Sequence, residues 1–172
     1  SSDLDTLVTH KQGEENGRNA FVRKGELDSD GFAVFKITNV IQGDGAVATR
    51  SFASLNSEPL FLTARGVYAL TPSDVTGERY AQERSWYIGA ALTREQALEK
   101  ACATVWGRFY VLAVNGTLYL LDGAQKSYES KNPYSTYQYE SYYWPGIPAT
   151  CVWVEAGALR FGTAGGEVRE FW

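Results

Sequence analysis

"RFYVLAVNGTLYLLD", residues 108–122, joins two apolar runs through Asn115-Gly116. β-Branched and aromatic residues favour extended backbone, and Asn-Gly supplies the positive φ that a tight turn requires, so the stretch predicts a β-hairpin. Two others repeat the plan: "PLFLTARGVYALT" at 59–71 and "ALRFGTAGGEVREF" at 158–171. Their turn glycines, Gly66, Gly116 and Gly166, stand at intervals of 50 residues. The flanking strands are apolar on both faces, the pattern expected of a small sheet covered on each side by a neighbouring sheet.

A hairpin preceded by one or two further strands, repeating every ~50 residues, fits the four-stranded blade of a β-propeller. The segments upstream of the hairpins rhyme as well: "VIQGDGA" (40–46), "WYIGAA" (86–91) and "YYWPGIPA" (142–149) each run from bulky residues through glycine to alanine. The fold expected is all-β, a propeller-like array of about three blades with a repeat of 50 residues and one short inserted helix. The blades fall at approximately 4–71, 80–122 and 128–172, within a single domain spanning 1–172. In the first, "LDTLVTHK" (4–11) and "NAFVRKGELDSDGFAVFKITN" (19–39) supply leading strands that the hairpin at Gly66 completes. The helix is placed in "LTREQALEKACA" (92–103), where Thr93 and Gln96 have capping-box spacing and Leu92, Ala97, Leu98 and Ala101 line one face. Propellers close with about four to eight blades. Three blades, a start at Ser1 and no methionine together predict a partial propeller, either a piece of a larger protein or a unit whose open edges another chain covers.

Composition narrows the functional classes. A chain of 172 residues that is 44% apolar can bury a real core. A net charge of -4 with no basic stripe argues against a nucleic-acid surface, because such surfaces gain affinity by neutralising phosphates. No apolar run reaches the ~18 residues of a membrane span, so no membrane partner is expected. Cys102 in "KACATVW" and Cys151 in "PATCVWV" read as reduced cysteines packed in strands.

The single histidine, His10, lies in a predicted strand and reads as structural, which leaves a serine or cysteine nucleophile without its usual base. "DSDG" at 28–31 lacks the further oxygen ligands of a calcium loop and reads as a hairpin turn. Asn115-Gly116-Thr117 matches a glycosylation acceptor, but its turn role explains it completely. No catalytic residue, metal ligand or cofactor is assigned. The enzyme alternative is glycoside cleavage by two carboxylates ~5–10 Å apart, with Glu58, Glu78, Glu83, Glu140, Glu155 and Glu167 available.

The aromatic run "YSTYQYESYYW" at 134–144 offers flat faces with polar edges, suited to sugars or protein partners. Its last part, "ESYYW", aligns with "RSWYI" one repeat earlier and is expected to pack between blades. Its first part has no counterpart, so Tyr134, Tyr137 and Tyr139, with Tyr128, form the candidate contact surface.

"EPLFLTARGVYALTPSDVTGERYAQERSWYI" (58–88), "YYWPGIPATCVWVEAGALRFGTAGGEVREFW" (142–172) and "IQGDGAVATRSFASLN" (41–56) resemble proteins of the structural modules of phages and prophages of Gram-positive bacteria. That resemblance implies a virion component near the portal or tail, similar to the propeller-bearing nozzle proteins of short-tailed phages. The location it implies is the virion or the bacterial cytoplasm. Its partners would be other phage structural subunits or the remaining blades of a parent chain, with carbohydrate as the alternative ligand.

Overall fold

The structure, a computed structural model, describes residues 6–11, 19–43, 45–72, 79–128 and 137–171. The fold is all-β, with a single short α-helix among the described residues. It divides into two compact units, residues 1–46 with 71–81 and residues 47–70 with 82–172.

The first unit holds an antiparallel sheet in the order β1 (Thr6–His10), β2 (Ala20–Leu27), β3 (Ala33–Ile41). Ala20, Val22 and Gly25 of β2 are buried, while most of β3 is exposed. The β2–β3 turn is the "DSDG" stretch: Asp28 Oδ1 accepts the Asp30 and Phe32 amides at 3.0 and 2.8 Å, and Gly31 takes φ 82°. The Asp28 carboxylate is thus spent on its own turn. These strands form their own sheet and do not lead into the hairpin at Gly66, contrary to the expectation for a first blade.

The second unit is built from three successive antiparallel meanders. The first runs β4 (Ala53–Leu55), β5 (Glu58–Thr63), β6 (Gly66–Pro72), β7 (Arg79–Glu83), the last two strands crossing the boundary between units. The second runs β8 (Cys102–Trp106), β9 (Phe109–Val114), β10 (Thr117–Tyr128), β11 (Tyr137–Pro145). The third runs β12 (Cys151–Glu155), β13 (Ala158–Gly162), β14 (Val168–Glu170). Gly66, Gly116 and Gly166 all have positive φ, and each lies at the turn between the second and third strands of its meander, as the 50-residue interval predicts. A second set of turns joins first to second strands. Asn56-Ser57 and Ala156-Gly157, like Asn115-Gly116, have φ above zero at both central residues, the geometry that matches strand twist in two-residue loops.

The two-faced apolar pattern of the 108–122 hairpin has a direct structural cause. Tyr110, Leu112 and Val114 of β9, with Tyr119 and Leu121 of β10, enter a core shared with Leu55, Leu60, Leu62 and Val67 of the first meander. Their neighbours Val111, Ala113, Leu118 and Leu120 enter a second core with Val152, Leu159 and Phe161 of the third. Successive strand residues point to opposite faces, so one hairpin fills two cores.

Two further expectations are corrected. Residues 137–145 close the second meander, Tyr143 standing opposite Tyr119, and do not open a third blade at 128. The α-helix is α1 (Trp86–Leu92), "WYIGAAL", whereas 93–103 forms a turn, a 3-10 segment at Leu98–Lys100 and the start of β8. Ile88 and Leu92 on α1 are buried in the first core, and that burial outweighs the capping-box signal at Thr93, where the helix stops. No helix among the described residues is long and apolar enough to cross a membrane.

Candidate functional site

Strand β11 begins at Tyr137, and its first three residues dock beside the segment that follows β7. The Tyr139 amide donates to the Arg84 carbonyl at 3.3 Å. Gln138 bridges the same segment, its Nε2 donating to the Glu83 carbonyl at 3.1 Å and its Oε1 accepting the Trp86 amide at 3.1 Å. The Arg84 amide in turn donates to the Val67 carbonyl of β6 at 2.9 Å. Arg84 is thereby held between two meanders, and it is fully buried.

A buried guanidinium needs an opposite charge and acceptors for its donors. Glu58, at the start of β5, supplies the charge: Arg84 Nη2 donates to Oε1 at 2.7 Å and Nε to Oε2 at 3.1 Å. Arg84 Nη1 donates to the Tyr137 carbonyl at 3.0 Å and also to Gln82 Oε1. Tyr137 Oη lies 3.0 Å from both Glu58 oxygens, and Tyr139 Oη donates to Oε2 at 3.1 Å. The Arg84 guanidinium also lies 3.8 Å from the centre of the Tyr137 ring, which meets Tyr139 edge-on at 5.4 Å. Lys126 Nζ sits 4.3 Å from the Tyr137 ring centre, and Tyr128 packs against that ring at 5.8 Å. Burial, followed by the hydrogen bond to Tyr137, pushes the Tyr139 hydroxyl far above its ordinary pKa, so it stays a donor at any physiological pH.

This cluster corrects the expected division of the aromatic run in part. Tyr139 is 0% exposed and Tyr137 half-buried, so Tyr139 is not a contact residue: its ring fills the first core and its hydroxyl serves Glu58. Tyr128 is exposed, and Tyr134 lies outside the described residues. In the stretch expected to pack between blades, Trp144 does so, stacking flat on Phe171 at 5.0 Å, whereas Tyr142 and Tyr143 are 44% and 58% exposed. Its apparent counterpart "RSWYI" is the start of a helix, with Trp86 and Tyr87 facing outward, so the aligned residues occupy unrelated geometries.

The described carboxylates considered for glycoside cleavage all have partners within the chain. Glu58 is saturated as described. Glu83 has its pKa raised by burial and lies near Ser85 and Arg65. Glu140 accepts from Ser127 Oγ at 3.2 Å, Glu155 pairs with Arg160, and Glu167 pairs with Arg169 at 2.7 Å. Glu78 lies outside the described residues. The carboxylate beside the tyrosines is thus an acceptor for four donors.

His10 is half-buried in the first unit, where its Nδ1 accepts the Ala46 amide at 3.1 Å. Cys102 is buried and Cys151 half-buried, both as thiols in strands. Cys102 Sγ donates to the Thr150 carbonyl at 3.5 Å, while the Cys151 sulfur lies over Gly162.

The ion pair escaped sequence reading because nothing local relates Glu58 to Arg84, 26 residues apart. Only the sheet topology brings them together. Compared with known proteins, the chain matches no family model, no curated protein and no solved structure.

Proposed function

We propose that the chain is a structural and interaction module, a propeller-like stack of three blades acting as a rigid assembly platform in a phage or prophage virion protein. The observation that carries this reading is the two-sided burial of the middle sheet, whose alternate residues fill separate cores with the sheets before and after it. Such packing resists shear, because sliding either neighbour would open a well-packed core. The first strands of the meanders also lie together, as inner blade strands do. Arg50, just before β4, forms a parallel bridge to Cys102, its carbonyl accepting the Ala103 amide at 2.8 Å, and Cys102 reaches Thr150 just before β12. The most polar and aromatic cluster is consumed in joining two sheets, which favours a scaffold over a catalyst. The virion setting rests on the sequence resemblance quoted above.

Co-expression with the products of neighbouring structural genes, followed by size exclusion with light scattering and an assay on nitrophenyl glycosides, tests the reading. A stoichiometric complex without glycoside turnover is expected. A chain that stays monomeric in that mixture, or that releases nitrophenol, overturns it.

A further inference from the structure

A cleft of about 480 Å³ opens in the second unit where the segments preceding β4, β8 and β12 meet the β9–β10 hairpin. Its size is that of a small organic ligand. Ala97, Pro148, Ala149 and Ala164, each at least partly exposed, give the lining an apolar wall. Two cations border the same space, Arg50 and Lys100. In a chain of net charge -4, neither belongs to an ion pair among the described residues.

Arg50 is preorganised. Its backbone is fixed by the bridge to Cys102, and its Nη2 donates to the Lys100 carbonyl at 3.2 Å, which leaves most of the guanidinium donors for a ligand. The turn that presents Lys100 starts at Ala97, which holds φ 56° and ψ 42°. A non-glycine residue is strained in that left-handed region, and such strain concentrates at functional sites. An acid linked to this lining, Glu95, is occupied by Asn115 Nδ2 at 2.8 Å and Tyr119 Oη at 2.6 Å and does not neutralise the cations.

We infer that this cleft binds an organic carboxylate with a short apolar body, the carboxylate on Arg50 and Lys100 and the body on Ala97, Pro148 and Ala149. A planar guanidinium matches a carboxylate through paired hydrogen bonds, and the apolar wall rewards a hydrocarbon tail that inorganic anions lack. The same chemistry is offered by a free small acid and by an acidic side chain in a partner's peptide.

Calorimetric titration with hexanoate and with the capped dipeptide acetyl-Val-Glu-amide tests the site and separates the sources. Hexanamide and inorganic phosphate serve as the neutral and non-apolar comparisons. Saturable binding of at least one carboxylate is expected, weakened about tenfold or more in Arg50→Gln/Lys100→Gln, the loss expected when charge-assisted bonds are removed. Tighter hexanoate assigns a small acid, and a tighter dipeptide assigns an acidic partner segment. Ala149→Trp, which puts a bulky ring in the lining and leaves Arg50 and Lys100 in the chain, should abolish binding and keeps the test decisive if the double variant folds poorly. Absence of saturable binding by both carboxylates overturns the inference. So does equal affinity for hexanamide, preference for phosphate, or binding unchanged in the variants.

Discussion

Arg84 and Glu58 meet in a two-point ion pair, 2.7 and 3.1 Å long, with the arginine side chain fully buried and the glutamate nearly so. Removing one partner of a buried pair is far costlier than replacing both, because a lone buried charge remains. Glu58→Gln should therefore cost about 3–5 kcal/mol in urea denaturation, and Glu58→Gln/Arg84→Met clearly less than the sum of the single changes. Additive losses would show that the two side chains do not act as a pair.

His10 makes the stability of the first unit pH-dependent. Burial lowers its pKa from 6.5 to about 4, so the unfolded chain takes up the proton more readily than the folded one. The contribution of neutral His10 is complete above pH 6.5, declines as the pH falls, and is lost near pH 4. The loss should be about 2 kcal/mol, allowing for partial exposure. His10→Asn keeps an acceptor for the Ala46 amide but does not titrate, so its melting temperature should fall less than that of the wild type between pH 6.5 and 4.

Gly123 lies in the irregular stretch of β10, where the pairing with β11 shifts between Asp122 and Lys126. A methyl group there would come within 2.9–3.0 Å of Asn56 Nδ2, the Arg108 carbonyl and Leu55 Cδ1. The carbonyl is backbone and cannot swing aside. Gly123→Ala should cost about 1–3 kcal/mol by thermal melting, as overpacking typically does.

The two thiols should differ in reactivity. Burial raises the pKa of Cys102, whose sulfur is enclosed in the second core, whereas Cys151 is only half-buried at the edge of that core. Titration with Ellman's reagent should label Cys151 in the native protein and Cys102 only after denaturation. Native labelling of both at equal rates would contradict this placement.

The parts of the fold that could be read from sequence were those governed by local chemistry. Gly66, Gly116 and Gly166 marked true hairpins because positive φ is a property of the turn residue itself, and the two-faced apolar runs correctly signalled a covered sheet. The helix was misplaced because Ile88 and Leu92 gain from tertiary burial that no capping signal reveals. Tyr139 fell on the wrong side of the division of the aromatic run because side-chain chemistry does not say which face of an edge strand meets a core. Tyr139 and Tyr142 differ in nothing local, yet one is sealed against Glu58 and the other lies open. The strands of the first unit resembled blade strands in composition, and only pairing shows that they form a separate sheet.

Tyr137 and Tyr139, which open β11, join two sheets through Glu58 and Arg84, Tyr139 from a fully buried position. Tyr139→Ala in chemical denaturation tests this role. Truncating a buried aromatic that also serves a buried carboxylate should cost about 3–5 kcal/mol. A variant as stable as the wild type would place Tyr139 at the surface and contradict the account.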